Sequence, residues 1–338
     1  MKPKHPRLLL QPAPLLRSSP TTPAAMRDAL YALLPLMIGA LWWFGLSALL
    51  VLLATTAGAV ITEWLFSPGP DRDQTLRDLS APLTGLLLGL TLPPGLPLWI
   101  AFLGGATSIG LGKQVWGGLG QNPFNPALVG RAFLLGAFPT AMTTWQAPSG
   151  PMAFLNIIPS NLALPLTQST VDGVSAATPL GLMKFENQES SLPDLMLGHT
   201  AGCFGETSGV LILLGGLYLA LRRSIDWRIT LAILSSASLF SALLYWLDAS
   251  HPQPLVALFS GGLLFGAIFM ATDPVTSPVS PRGAWIFGIG IGLLTILIRR
   301  FGGYPEGVMY AILLMNAATP LIERVTQPRP FGRGKSAT

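Results

Sequence analysis

Charge is nearly absent from long stretches of this chain: whole runs of roughly 15 to 20 residues, and all 34 between Asp28 and Glu63, pass without Asp, Glu, Lys or Arg. Half of the 338 residues are hydrophobic and 10% are charged, against roughly 25% in a soluble domain. A soluble core of this length alternates apolar positions with charged faces, and these stretches do not. The bilayer is the solvent in which the chain must be read, and the fold class expected is all-α, a polytopic integral membrane protein.

The apolar segments fall near 29–46, 47–66, 80–92, 96–111, 127–142, 207–221, 229–247, 254–271, 284–298 and 307–322, which gives about ten spans. Residues 1–27 are basic and proline-rich, and Gln11, Pro12 and Pro14 interrupt the one stretch that resembles a signal-peptide core. The expected organisation is a disordered cytoplasmic tail over 1–27, a first membrane half over 28–142, a long outer loop over 143–206, a second membrane half over 207–323 and a cytoplasmic tail over 324–338.

Lys and Arg collect on the cytoplasmic side of membrane proteins. With the N-terminus inside, only Lys184, Arg299 and Arg300 fall in outer segments and Arg131 within a span, so sixteen of the twenty Lys and Arg are inner. The 143–206 loop then faces outward, and it carries Asp172, Glu186, Glu189, Asp194 and Glu206 against one lysine. Five spans on either side of it permit two inverted five-helix halves, an architecture that forms binding sites from short or broken helices. Two polar breaks fit such sites. In Gly117-Gly118-Leu119-Gly120-Gln121-Asn122-Pro123-Phe124-Asn125-Pro126, Asn125 is placed to cap a helix that Pro126 begins. In Met270-Ala271-Thr272-Asp273-Pro274, Thr272 or Asp273 takes the same role for a helix starting at Pro274. Both breaks fall on the cytoplasmic side and can line one cavity, although a tight interhelical turn explains the first equally well.

Several chemistries are disfavoured. The single Cys203 provides neither a disulfide nor a Cys-ligated metal or iron–sulfur centre, and no apolar span carries the facing histidines that membrane haem requires. No metal ligand set is assigned. Gly112-Lys113 is followed by Gln114, with Thr107 where a phosphate-binding loop needs glycine. Gly288, Gly290 and Gly292 suit helix packing rather than dinucleotide binding. The net charge of +5 reflects membrane sidedness, so no nucleic-acid partner is expected and membrane lipid is.

Charges at bilayer depth cost about 3 kcal/mol or more unless paired or hydrated. Glu63 and Arg131 are the clear cases. Arg131 either snorkels or ties helices together while Glu63 sits at the interface, or these charges serve a cation pathway shared with Asp273.

The outer loop contains Asp172-Gly173-Val174-Ser175-Ala176-Ala177-Thr178-Pro179-Leu180. Small residues leave the Thr178 hydroxyl open to approach, Pro179 biases Thr178 toward an extended backbone, and Asp172 and Ser175 offer polar handles to a modifying enzyme. Alone, such a motif also arises by chance in an unmodified turn.

Together with Gly117–Pro126 and Phe269-Met270-Ala271-Thr272-Asp273-Pro274, this motif resembles the RnfD/NqrB family, membrane components of the Rnf electron transport complex and of the sodium-translocating NADH:quinone reductase. The likeness spans most of the chain. It implies FMN esterified through its phosphate to Thr178, which would make the chain a flavoprotein and a phosphoprotein, within a flavinylation motif that includes Asp172, Ser175 and Ala177. Ala176 stands where the family has Gly or Ser. The resemblance also implies a second, non-covalent flavin such as riboflavin, with Asn122 and Asn125 in its wall. It further implies a relay subunit, not catalytic alone, of a bacterial inner-membrane translocase that couples electron transfer to Na+ or H+ movement. The partners implied are a second flavin subunit, iron–sulfur subunits and a flavin transferase. The rival from another class is a small-solute channel or permease of the urea or ammonium transporter kind, with the same inverted halves and no flavin.

Overall fold

A computed structural model describes residues 21–67, 72–150, 154–155, 157–165, 176–186, 188–248 and 252–327. Among the described residues the chain is all-helical, with no strand. The helices are α1 (Thr22–Phe44), α2 (Leu46–Phe66), α3 (Arg72–Arg77), α4 (Ser80–Leu90), α5 (Leu98–Gly112), α6 (Pro126–Ala137), α7 (Pro139–Thr143), α8 (Pro179–Gly181), α9 (Leu192–Leu197), α10 (Gly209–Arg222), α11 (Trp227–Leu247), α12 (Pro254–Phe259), α13 (Leu263–Phe265), α14 (Pro281–Phe301) and α15 (Val308–Thr326). Five of them, α1, α2, α11, α14 and α15, are long and apolar enough to cross a bilayer, while α4, α6 and α10 are apolar but shorter.

Glycine sets how closely these helices approach. A methyl group on Gly58 would meet the Phe102 carbonyl at 2.1 Å, and one on Gly105 the Thr55 carbonyl at 2.0 Å, so α2 and α5 pack backbone to backbone. The same device joins α11 to α14, where a methyl on Gly292 would lie 2.0 Å from Ser236 Oγ and 2.6 Å from the Ile233 carbonyl. Lipid gives no hydrophobic drive between spans, and small residues that admit close contact replace it.

α1 starts at Thr22, ahead of the Ala29 expected from hydropathy, and Asp28 accordingly sits in its second turn. Asp28 accepts hydrogen bonds from Arg222 Nε and Ser224 Oγ, each at 3.2 Å, which ties the start of α1 to the end of α10. Described residues of the 143–206 segment bind the loops at the opposite end of the molecule. Ser149 N donates to the Trp43 carbonyl, Gly205 N to that of Leu90, and Asn161 Nδ2 to those of Pro94 and Leu96. One apolar core runs between the two ends and includes Leu33, Leu52, Leu88, Phe204, Phe265 and Phe287.

Two local expectations are corrected. The 254–271 stretch is not one helix: Ser260-Gly261-Gly262 breaks it, Gly261 adopting φ 62°, and after α13 a π-turn over Gly266–Met270 completes it. No helix starts at Pro274 either. Asp273 Oδ1 accepts from Val275 N at 3.1 Å and so caps a turn, and the next helix begins at Pro281 under Ser280.

Candidate functional site

Three polar sites stand out against the apolar core. The first is an open cavity at the end of the molecule where α1 begins. Its polar wall includes Ser80, Lys113, Asn122, Asn125 and Asp273, and Leu83, Leu87, Leu219 and Phe269 supply apolar wall. Asn125 builds this wall as its sequence position predicts: Oδ1 accepts from Ala127 N and Leu128 N to cap α6, and Nδ2 donates to the Met270 carbonyl at 3.1 Å. The two polar breaks, 145 residues apart, thus meet at one hydrogen bond. Asn122 Nδ2 donates to the Phe124 carbonyl, while its Oδ1 is buried with no donor among the described residues. A buried acceptor without a partner costs on the order of 1–3 kcal/mol, and a ligand donor in the cavity removes that cost. Burial pushes the Asp273 carboxyl above its ordinary pKa, against the lowering effect of its bonds from Val275 and Thr276.

Glu63 stands behind this cavity. Lys113 Nζ lies 2.5 Å from Glu63 Oε1 and 2.6 Å from Ser80 Oγ, with Lys113 and Glu63 both buried. The lysine lines the cavity together with Asp273, and Glu63 does not.

The second site lies at the other end. Thr178 has φ −76° and ψ 154°, the extended backbone that the following proline favours, and its Oγ accepts from Gly181 N at 3.1 Å. Ala177 beside it is exposed, and the Ala176 amide is pinned to the Trp145 carbonyl. Asp172 and Ser175 lie outside the described residues. Thr178 lines a small cavity with Thr200, Ala201, Gly202 and Gly261, and Glu206 and Glu306 complete its wall.

Those two carboxylates belong to the third site, a buried charge cluster. Arg131 Nη1 is 3.3 Å from Glu206 Oε1, and Arg131 Nη2 is 2.5 Å from Glu306 Oε2 and 3.5 Å from Cys203 Sγ. Of the two readings open for Arg131, tying elements together is the one the geometry gives: it joins α6 to the segments before α10 and α15. Cys203, Glu206 and Glu306 converge closely enough to share a metal ion, but the guanidinium occupies their centre. Burial first, then Glu306, pushes the Glu206 carboxyl up to about 7 against the pull of Arg131.

Sequence reasoning marked Glu63, Arg131, Asn122, Asn125, Asp273 and Thr178, and missed Ser80, Lys113, Glu206 and Glu306 as site residues. Lys113 carried a signal, a lone lysine closing an apolar segment. Glu306 carried none.

Comparison with known proteins gives a consistent result. The family described as NQR2, RnfD, RnfE matches residues 9–332. The chain is 44% identical over 321 residues to the D-type subunit of the ion-translocating oxidoreductase complex of Stutzerimonas stutzeri, covering 89% of this chain and 90% of the relative. It is 42% identical to the D-type subunit of the Na(+)-translocating ferredoxin:NAD(+) oxidoreductase complex of Acetobacterium woodii, over 96% of this chain and 95% of that one. With the proton-translocating counterpart of Clostridium ljungdahlii the identity is 39%, over 95% of each.

Proposed function

The chain belongs to the NQR2, RnfD, RnfE family, and from that premise we propose that it is the D-type membrane subunit of an ion-translocating oxidoreductase complex, relaying electrons through FMN esterified to Thr178. The observation that carries this reading is the setting of Thr178: a hydroxyl beside exposed Ala177, at a cavity edged by Ala201, Gly202 and Gly261. Neither Ala176 nor Ala177 is bulky enough to wall off its oxygen. That oxygen acts as an acceptor toward Gly181 N, so esterification, which removes the hydroxyl proton, leaves the bond in place. The site therefore fits the group. FMN, when bound, supplies a redox centre that takes up and passes on electrons. Thr178 tethers it, α8 fixes the tether, and Trp145 holds the preceding strand of backbone.

The first cavity suits a second, non-covalent flavin such as riboflavin. A mostly apolar wall with a few convergent polar groups is the lining small-molecule sites have, and the orphan Asn122 Oδ1 awaits a donor. Asp273 and, behind Lys113, Glu63 stand at the same end and form the proposed cation route.

Two inverted five-helix halves are supported by an order of packing that repeats: second on fourth, second on third and fourth on fifth segment in each half. The third segment is short or broken in both, as α4 and as α12–α13. In the proposed orientation the complex lies in the bacterial inner membrane, both termini are cytoplasmic and 143–206 is periplasmic. Family membership does not favour the permease alternative.

The test is ultraviolet fluorescence of the purified chain on a denaturing gel, with its flavin transferase present. The native chain gives a fluorescent band and Thr178→Ala gives none, with unchanged membrane yield. A band of equal intensity in the variant sinks the assignment.

A further inference from the structure

Lys184, Arg299 and Arg300 are the three basic residues that the charge distribution leaves on the outer side, and the fold gathers all three around one open cleft of about 710 Å³. Leu180 and Met183 of the outer loop, Ser241 and Leu244 of α11 and Ile296 of α14 complete much of its lining. Two of the three cations are fixed by neutral groups. Lys184 Nζ donates to the carbonyls of Arg299 and Gly302. Arg299 donates to those of Ala257 at 2.6 Å, Ser260 at 2.9 Å and Glu306 at 3.1 Å. None of the ion pairs among the described residues uses Lys184, Arg299 or Arg300. Of the carboxylates at this end, Glu206 and Glu306 are engaged by Arg131, and Glu189 accepts from Gln253 N. Burial, and then the like charge of Arg300, hold the Lys184 ammonium below its ordinary pKa, as a cation lacking a counter-ion requires.

Next to the cleft the surface is apolar. Leu243, Trp246 and Leu247 at the end of α11, and Leu297 and Phe301 at the end of α14, are exposed. Aromatic side chains of this kind mark the level of the headgroups. A cationic pocket above an apolar flank matches a molecule with an anionic head and hydrocarbon tails. We propose that the cleft of Lys184, Arg299 and Arg300 binds the phosphate headgroup of an anionic phospholipid, whose acyl chains lie along the exposed ends of α11 and α14. This rests on the membrane-embedded reading of the chain, though not on the flavin.

Leu180 lines both this cleft and the Thr178 cavity, so the other phosphate within reach is that of a flavin on Thr178. The experiment separates the two. Full-length chain, purified in mild detergent, is incubated with equal amounts of dioleoyl phosphatidylglycerol and dioleoyl phosphatidylcholine, and retained lipid is read by native mass spectrometry. The native chain retains phosphatidylglycerol in preference, and Arg300→Gln lowers that preference about fivefold, the weight of one basic residue near an anionic lipid. Lys184→Gln combined with Arg300→Gln abolishes it. Lys184 also caps the end of α14, so the double variant risks misfolding. The Arg300 side chain donates no hydrogen bond among the described residues, and its single variant alone keeps the test decisive. Thr178→Ala retains the preference in full. Equal retention of both lipids by the native chain, or no change in Arg300→Gln, overturns the proposal. It is also overturned if Thr178→Ala removes the preference, because the cleft then serves the flavin phosphate.

Discussion

At the residue scale, two buried charge groups control most of what single substitutions will do. Lys113 and Glu63 are enclosed together, so removing one strands the other: Lys113→Met is expected to cost about 3–5 kcal/mol, as when one partner of a buried pair is lost. Glu63→Gln added to it restores most of that, and the thermal midpoint in detergent follows both. If the double variant were no more stable than Lys113→Met, the pair would not be the source of the loss. Glu206 gives a pH dependence. Its carboxyl is raised from an ordinary value near 4.5 to about 7 in the folded chain, so the folded state binds the proton more tightly than the unfolded one. The stabilisation it contributes is complete below about 4.5 and is lost as pH rises through about 7. Glu206→Gln should flatten the midpoint-against-pH profile across that window, and an unaltered profile would exclude Glu206 as its source. Glu63 and Arg131 were visible in the sequence because each breaks an apolar run. Their partners were not, being 50 residues away for Glu63 and 75 and 175 residues away for Arg131, separations that no local pattern encodes.

At the scale of elements, backbone contact between helices decides stability more than side-chain volume does. Gly105→Val places its branch against the Thr55 carbonyl, with backbone and not a movable side chain in the way. Overpacking of this kind costs about 1–3 kcal/mol or more. Gly105→Val and Gly292→Val are therefore expected to lower both membrane yield and thermal midpoint. Gly136→Val, at an exposed position with nothing within 4 Å of the added carbon, should change neither. A normal yield from Gly105→Val would show that α2 and α5 can separate freely. Hydropathy located the helical segments well, since each apolar stretch became helix over most of its length. It failed where backbone conformation rules: the break at Gly261 lies inside an unbroken apolar run, and Asp273 satisfies the turn after it instead of a helix start. The Asn125 cap was legible because capping needs only a side chain, the next two amides and a proline.

For the molecule as a whole, the central question is which end faces the cytoplasm. The start of α1, the end of α10, Lys113 and Asp273 share one end, and Thr178 lies at the other, where Asn161 holds the loop before α5. Basic residues concentrate toward the first end, and on that charge distribution rests the proposal that it faces the cytoplasm. Cysteine labelling checks this with little perturbation, because the native Cys203 is wholly buried and its thiol is pushed well up by burial, both of which suppress reaction. The unaltered chain is thus its own blank. Leu155, 80% exposed, and Val279, 86% exposed, lie at opposite ends. Leu155→Cys is expected to react with a membrane-impermeant maleimide in intact spheroplasts, and Val279→Cys only after the membrane is opened. The reverse pattern would put Thr178 in the cytoplasm, and with it any electron carrier held there. The proposed tether on Thr178 would then stand on the wrong side to keep a flavin from being lost to the periplasm.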